Sequence, residues 1–356
     1  MALVALSLGR PEGATAPGVA VTRWTLDVPV LAAAFAGNGA HAAFGLDDGS
    51  VRLVALARFG GRRMTATAVH HGPVRALSAD GATGGVLSLG ADGRVVQLDG
   101  AGAATALLDP QGAHGGARLV AGGWLRAVAT AGEVIVYDRA GHVGWRAGCD
   151  GASALAASPS GDTVAAARGR EVTVWRDRPR ETPAAALSAS APVHALAFSP
   201  YGRRLAAATD SPTALVWDLG DAAGTGALFG SARDLAWSAC GRALVGAGDG
   251  ALLCWRTDRR VHLRGWHVPM AVAPMAGCAV TALACHPRHP LAAAGYDDGS
   301  VLLADLDHGR DRVIRHGAED AVSALAWSPQ GSHLACATAG GEAALFDFTT
   351  LVKRPH

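Results

Sequence analysis

Residues 41–56, HAAFGLDDGSVRLVAL, return almost unchanged at 291–306 as LAAAGYDDGSVLLADL. A phrase repeated within one chain points to a fold assembled from copies of one unit, which narrows the possible architectures more than any local propensity does. Weaker copies lie between the two. Taking the residue near the end of each copy as a marker gives Val54, Leu98, Tyr137, Trp175, Trp217, Trp255, Ala304 and Phe346. Successive markers are 44, 39, 38, 42, 38, 49 and 42 residues apart.

The units share a grammar, clearest in VHALAFSPYGRRLAAATDSPTALVWDL (193–219) and VSALAWSPQGSHLACATAGGEAALFDF (322–348). The segment from Val193 to Phe198 suits a strand with two unlike faces. Ser-Pro-x-Gly then supplies a fixed φ followed by a permissive one, as a tight hairpin needs. Asp-Gly serves the next turn, and runs such as LAAAT leave room for close approach of neighbouring sheets. No segment sustains a helical period. Each unit therefore holds three strands, with a fourth expected in each connection, for example RVIRH (312–316) and VHLRGW (261–266). Four antiparallel strands in every unit of about forty residues make a blade of an all-β propeller. Eight markers imply eight blades; seven is the alternative if the short third unit, ARLVAGGWLRAVATAGEVIVYD, is not one. The last unit ends after its third strand, and VAVTRWTLDV (19–28) alternates like a strand, so the N-terminus is expected to complete the eighth blade and close the ring. The propeller would span 19–348, between tails 1–18 and 349–356.

At Trp217-Asp218, at Phe198-Ser-Pro-x-Gly, and at the Asp-Gly turns six residues before the markers, the chain resembles the WD-repeat β-propellers in a degenerate form. The turn aspartates are Asp48, Asp92, Asp249 and Asp298; the other units have Ala131, Gly169, Ser211 and Gly340 there. The family's Gly-His is missing, replaced at best by His-Gly at His71, His114 and His316. The resemblance thus implies that the buried His–Ser/Thr–Asp–Trp chain is incomplete in every blade. It also implies partner docking on the loop face beside the central channel.

Lys and Arg number 31 against 30 Asp and Glu, a balance that gives no support to nucleic-acid or acidic-membrane binding. The uncharged stretch 268–285 is broken by Pro269, Pro274 and Gly277, so no membrane span is expected. MALVALSLGR lacks a basic segment ahead of its apolar run, and no secretory signal is read there. Six cysteines without a CxxC pair fit free thiols in the cytoplasm. No nucleophile elbow, phosphate loop or zinc-protease motif is present, so no enzyme and no cofactor are expected. Cys285-His286-x-x-His289 has metal-ligand spacing, but His286-Pro287 stands where other units have Ser-Pro, which favours a turn over a metal. Asp47-Asp48 and Asp297-Asp298 lack the further oxygens of a calcium loop.

A partner protein or peptide, bound by a monomeric, non-enzymatic scaffold, is the expectation that remains. The position after the first hydrophobe of each first strand is read as exposed on the loop face: Leu31, Arg75, Ala117, Ser153, His194, Arg233, Thr281 and Ser323. With the turn residues, Arg75, Arg168, Arg170, His194 and Arg233 form a basic sector, and Asp297, Asp298, Glu342, Asp47 and Asp48 an acidic one. A second surface is the long connection 257–277, with Arg259, Arg260 and Arg264 beside Trp266, Met270 and Met275; Arg, Trp and Met are enriched at interfaces. The alternative is a small ligand or metal at the channel mouth near His194 or at Cys285/His286/His289.

Overall fold

Alternating strands joined by tight Gly turns pair with their chain neighbours, and the chain accordingly folds as a series of antiparallel meanders. The computed structural model describes residues 19–56, 63–108, 118–176, 184–220, 225–257, 269–317 and 320–349. Every named element in these residues is a strand, and the strands form eight four-stranded antiparallel sheets. Blades 1 to 7 are consecutive meanders starting at Val30, Val74, Arg118, Ala154, Val193, Leu235 and Val280. Blade 8 comprises Val322–Trp327, His333–Thr338 and Glu342–Asp347, and its outer strand is Ala20–Thr25 from the start of the chain. Ala20 pairs with Asp347 and Thr25 with Glu342, antiparallel without a register break. The ring therefore has eight blades and closes through the N-terminal strand, as the spacing and the unfinished last unit imply.

The third unit is a full sheet, Arg118–Gly122, Leu125–Ala129, Glu133–Tyr137 and Val143–Gly148. Its brevity comes from a first turn cut to Gly123-Trp124, with Gly123 at φ 54°. In blade 7 the outer strand is Asp311–Arg315. In blade 6 it is Met270–Val272, paired with Leu252–Cys254; the segment 261–266, expected in that place, lies outside the described residues.

The core is divided among the blade interfaces rather than gathered at one centre. Eight hydrophobic clusters each join two neighbouring blades. Second strands are buried on both faces, so small residues recur there: Ala206, Ala207 and Ala208 are at most 1% exposed. The fit leaves no room for a methyl at some places. A Cβ on Gly45 would lie 2.4 Å from Val74 Cγ1 of the next blade, and one on Gly295 would lie 2.5 Å from Val322 Cγ1. Larger third-strand residues fill the remaining space: Trp175, Trp217, Trp255 and Phe346 are all nearly inaccessible.

The Ser-Pro-x-Gly turns, with Ser-Ala-Cys-Gly in blade 6, show why serine begins them. The Oγ atoms of Ser158, Ser199, Ser238 and Ser328 each accept the N–H five residues on, from Thr163, Arg204, Ala243 and His333, all at 3.0 Å. Blade 2 has Asp80 there instead. This buried carboxylate accepts two bonds from Arg126 of blade 3, from Nε at 2.9 Å and from Nη2 at 2.8 Å, and a further bond from the Thr83 hydroxyl. Arg126 and Asp80 are each at most 1% exposed. The shortened first turn of blade 3 and this inter-blade ion pair thus occur together.

Two outcomes follow. Deleting residues 1–28 should lower the melting temperature by roughly 10 °C or more, or cause aggregation; an unchanged melt would show that the outer strand is dispensable. Arg126→Ala should cost about 3–5 kcal/mol in urea unfolding, because it strands a buried carboxylate. Combining Asp80→Ser with Arg126→Met should recover most of that loss.

Candidate functional site

First strands run away from one face of the ring and second strands return to it. The loops entering the first strands and the second-to-third turns therefore share that face. A repeated backbone bond ties them: Asp47 N–H to Pro29 O, Ala91 to Pro73, Asp210 to Pro192, Asp297 to Ala279 and Ala339 to Ala321, at 2.8–3.1 Å. In the same five blades the first strand breaks register at Val30/Ala32, Val74/Ala76, Val193/Ala195, Val280/Ala282 and Val322/Ala324. The bulged residues are Leu31, Arg75, His194, Thr281 and Ser323. A bulge leaves one residue unpaired and re-aims its side chain, so in these five blades the column read from the sequence is a column of bulges at the channel mouth. In blade 3 Tyr137 pairs with Arg126 as Trp217 pairs with Leu205, so Arg118 opposite Ala129 matches Ala195 opposite Ala208, and the column place is the residue before it. Ala117, expected there, lies outside the described residues.

Several column residues fasten one blade to the next. Ser153 Oγ donates to Val193 O at 2.6 Å, Ser323 Oγ donates to Val30 O at 2.5 Å, and His194 Nε2 lies 3.0 Å from Ala232 O. From one place after the column, Arg118 Nε donates to Ser153 O at 3.3 Å. In blade 5 and blade 1 the accepting carbonyl is that of the residue just before the bulge.

The charge map is narrower than the sequence suggests. His194 Nδ1 lies 3.2 Å from Asp210 Oδ1, and Arg233 lies 3.1 Å from Asp249, so acids on their own blades answer both basic side chains. Glu342 is likewise met by buried Arg315 at 2.9 Å and by Arg23 at 3.6 Å. Arg75, Arg118, Arg168 and Arg170 on blades 2 to 4 are exposed, with Asp150 and Glu171 among them. Across the ring, on blades 7, 8 and 1, Asp297, Asp320, Asp27, Asp47 and Asp48 are exposed. Trp266 and Arg264 lie outside the described residues, while Met270 is 40% exposed on the rim of blade 6.

Of the turn aspartates, Asp48 and Asp298 each take the backbone N–H and the hydroxyl of the serine two residues on. Asp92 takes the N–H groups of Arg94 and His71 and faces His70 Nδ1 at 3.2 Å. Asp249 instead reaches Arg233. His70 Nε2 in turn lies 2.8 Å from Ser88 Oγ, so blade 2 holds three members of a buried polar chain, and Leu98 stands at the Trp marker. The ring that enters is His70, not the neighbouring His71 of the His-Gly pair. Burial pushes the His70 imidazole below its ordinary value; Asp92, despite its own burial, is held low by the N–H bonds from His71 and Arg94. Ser–His–Asp order resembles a hydrolase relay, but Ser88 has no accessible surface. No substrate reaches it, and the chain acts as a strut.

The structure does not assemble Cys285, His286 and His289 as ligands. Cys285 packs into the core between blades 6 and 7. His286 Nδ1 accepts the N–H groups of Arg288 and His289 at 3.0 Å, and Nε2 bonds Gly331 O of the next blade at 3.1 Å. Its ring meets Trp327 edge-on, with centroids 4.7 Å apart. His286 is therefore a turn residue in the serine position. Among the described residues the one cluster with three potential donor atoms within 4.8 Å of one another is Cys278, Asp297 and Asp298. Desolvation and the two carboxylates push the Cys278 thiol up. Asp297 already accepts Ala279 N–H, and Asp298 is committed to Ser300, so this cluster closes the turn of blade 7.

Comparison with known proteins agrees with this geometry. The family model "WD domain, G-beta repeat" matches residues 182–218, 273–305 and 311–347, which end on the third strands of blades 5, 7 and 8. Among solved structures, the C-terminal WD40 domain of Sif2 superposes with a TM-score of 0.70 at 15% identity, covering 91% of this chain and 97% of that one. The computationally designed Ika8 protein gives a TM-score of 0.70 at 20% identity, with the same coverage.

The turn role of His286 has a pH signature. Burial is the main cause that lowers its imidazole to about 4, against about 6.5 in an unfolded chain. The folded form thus resists protonation: its stabilising effect is full above pH 6.5 and is lost as pH falls toward 4. The loss over that window is about 3 kcal/mol for this one group. His286→Ser should flatten the fall in urea midpoint between pH 6.5 and 4; an unchanged slope would mean that the ring is solvated.

Proposed function

From a chain that carries WD40 repeats in three of its eight blades, we propose a non-enzymatic interaction scaffold that docks a partner protein or peptide on the loop face around the central channel. Propellers of this family generally mediate protein interactions. The observation that supports this face is the charge division across the mouth, with Arg75, Arg118, Arg168 and Arg170 on one side and Asp297, Asp320, Asp27, Asp47 and Asp48 on the other. A divided face orients a bipolar partner and speeds its encounter more than it tightens the complex. The bonds that tie the loops together mean that the partner meets a rim already in place, so little ordering is needed on binding.

A second docking surface on the rim of blades 5 and 6 has one supporting observation. Phe229 and Met270 are 42% and 40% exposed, and a Cβ on Gly230, next to Phe229, would lie 3.5 Å from Pro269, next to Met270. Trp266 and Arg264 of the long connection are candidates to extend it. No described helix is long and apolar enough to cross a membrane, and the six cysteines are free, Cys240 exposed among them. A monomer in a reducing compartment, the cytoplasm, suits these features.

Photo-crosslinking residues placed at Arg75 or Asp297 should trap the partner in cells, whereas residues at Arg203 or Gln330 on the opposite face should not. Reversing Arg75, Arg168 and Arg170 to Glu should lower recovery at least tenfold, with a marked salt dependence in the wild type. Equal trapping on both faces would defeat this reading. Loss of recovery only in Trp266→Ala would move the site to the rim.

A further inference from the structure

First strands line the inside of the ring, and their registers make equivalent places comparable. One place, two residues after the leading hydrophobe, holds alanine in six blades, including Ala195 opposite Ala208, Ala282 opposite Gly295 and Ala324 opposite Ala337. Blade 3 has Arg118 there, opposite Ala129, with its Nε donating to Ser153 O at 3.3 Å. In blade 6 the same place is Asp234, whose carbonyl accepts the N–H of Ala247 at 3.0 Å, as that register requires. One carboxylate, in blade 6, and one guanidinium, across the ring in blade 3, thus interrupt a ring that is otherwise alanine.

Asp234 combines two properties that rarely coincide. Its surface is accessible, yet the surrounding protein desolvates the carboxyl and raises it above the ordinary aspartate value. A group that is open to solvent and still ringed by protein lies on a channel wall. Its electrical neighbours agree, since it is felt by His194 of blade 5 and by Cys285 of blade 7, on either side. Oδ1 accepts the N–H of Leu235 at 2.8 Å, and no other hydrogen bond or ion pair to the carboxylate occurs among the described residues. The nearest basic side chains are already engaged: His194 with Asp210 and Ala232 O, and Arg233 with Asp249.

We propose that Asp234 anchors a cation in the central channel, an ammonium or guanidinium at the end of an extended apolar stem that enters from the loop face and lies along the alanine ring. A carboxylate with a free oxygen, partly stripped of water, gains most from a charge-assisted bond. The flanking alanines offer apolar surface to methylene groups and no competing donor. Where the stem is a lysine or arginine of a partner, the inference rests on the loop-face reading; a free amine would use the same subsite without it.

The test is calorimetric titration of full-length protein at pH 7 and low salt. The probes are agmatine, a capped tripeptide carrying one arginine, and its citrulline counterpart. Asp234→Asn keeps an acceptor for Leu235 N–H and removes the charge; Asp234→Ala removes both. Wild type should bind the cationic probes saturably and the citrulline peptide not at all, with affinity at least tenfold weaker in both variants. Tighter binding of the arginine peptide than of agmatine identifies a partner side chain as the source, and the reverse identifies a free amine. Absence of cation binding to the wild type, or equal binding to the variants, overturns the inference. The loop-face reading is judged separately by the crosslinks at Arg75 and Asp297. Should Asp234→Ala melt early, Asp234→Asn decides alone, since full agmatine affinity in that folded variant excludes a role for the charge.

Discussion

The pairing of Ala20–Thr25 with Glu342–Asp347 is the contact on which the rest of the ring depends. A propeller has no single core: each hydrophobic cluster lies between two blades, so opening one junction exposes apolar surface on both of its sides. The closing strand alternates, and its two faces seal two junctions. Val19 and Val21 pack into the cluster between blades 7 and 8, while Trp24, Leu26 and Val28 pack into the one between blades 8 and 1. The Leu26 N–H also bonds Gly341 O, and a Cβ on Gly341 would stand 2.4 Å from Leu26 O. Hydrogen bonding, side-chain alternation and a close backbone approach converge on ten residues. The edge that this strand covers would otherwise be an open template for pairing with other chains.

Spacing alone carried the blade count and the closure because both follow from features repeated along the chain. Second and third strands are buried on both faces, so their sequences are tightly restricted and read clearly. Outer strands have one face in solvent. Met64–Ala68 and Ala104–Leu108 bury little of their length, and such weak patterning explains why the outer strand of blade 6 was expected at 261–266 and is found at Met270–Val272. The third unit looked doubtful because its first turn is only two residues long. Its strands were intact, and the missing turn was compensated at Arg126, a polar residue in a buried strand.

The site was less legible than the fold, for a related reason. Periodicity finds what units have in common, whereas chemistry resides where one unit departs from the others. Asp80 and Arg126 are 46 residues apart in sequence, and nothing local joins them. His70 rather than His71 enters the polar strut because the loop register differs by one residue, below what an unaligned motif can resolve. Asp234 stands in a short segment, ARDLAW, where Arg233 drew attention as the loop-face residue. Only comparison of registers shows that the next position faces the alanine ring. Conversely, His286 carried a metal-like signal that its place in the serine column explained in advance, and the bonds to Arg288, His289 and Gly331 bear that explanation out.

These departures share a mechanical basis. At the channel mouth the rim is held by backbone bonds between loops and by bulges that leave one side chain unpaired in each of five blades. Because the backbone does most of the holding, the bulged residue is free to vary: it is leucine, arginine, histidine, threonine or serine in the five bulged blades without loss of the sheet. A serine or histidine there adds a tie to the next blade, and an arginine adds charge. The ring can therefore alter the chemistry of its mouth one blade at a time while its closure and core stay unchanged. That separation explains how units so unlike in their polar residues still stack into one regular ring.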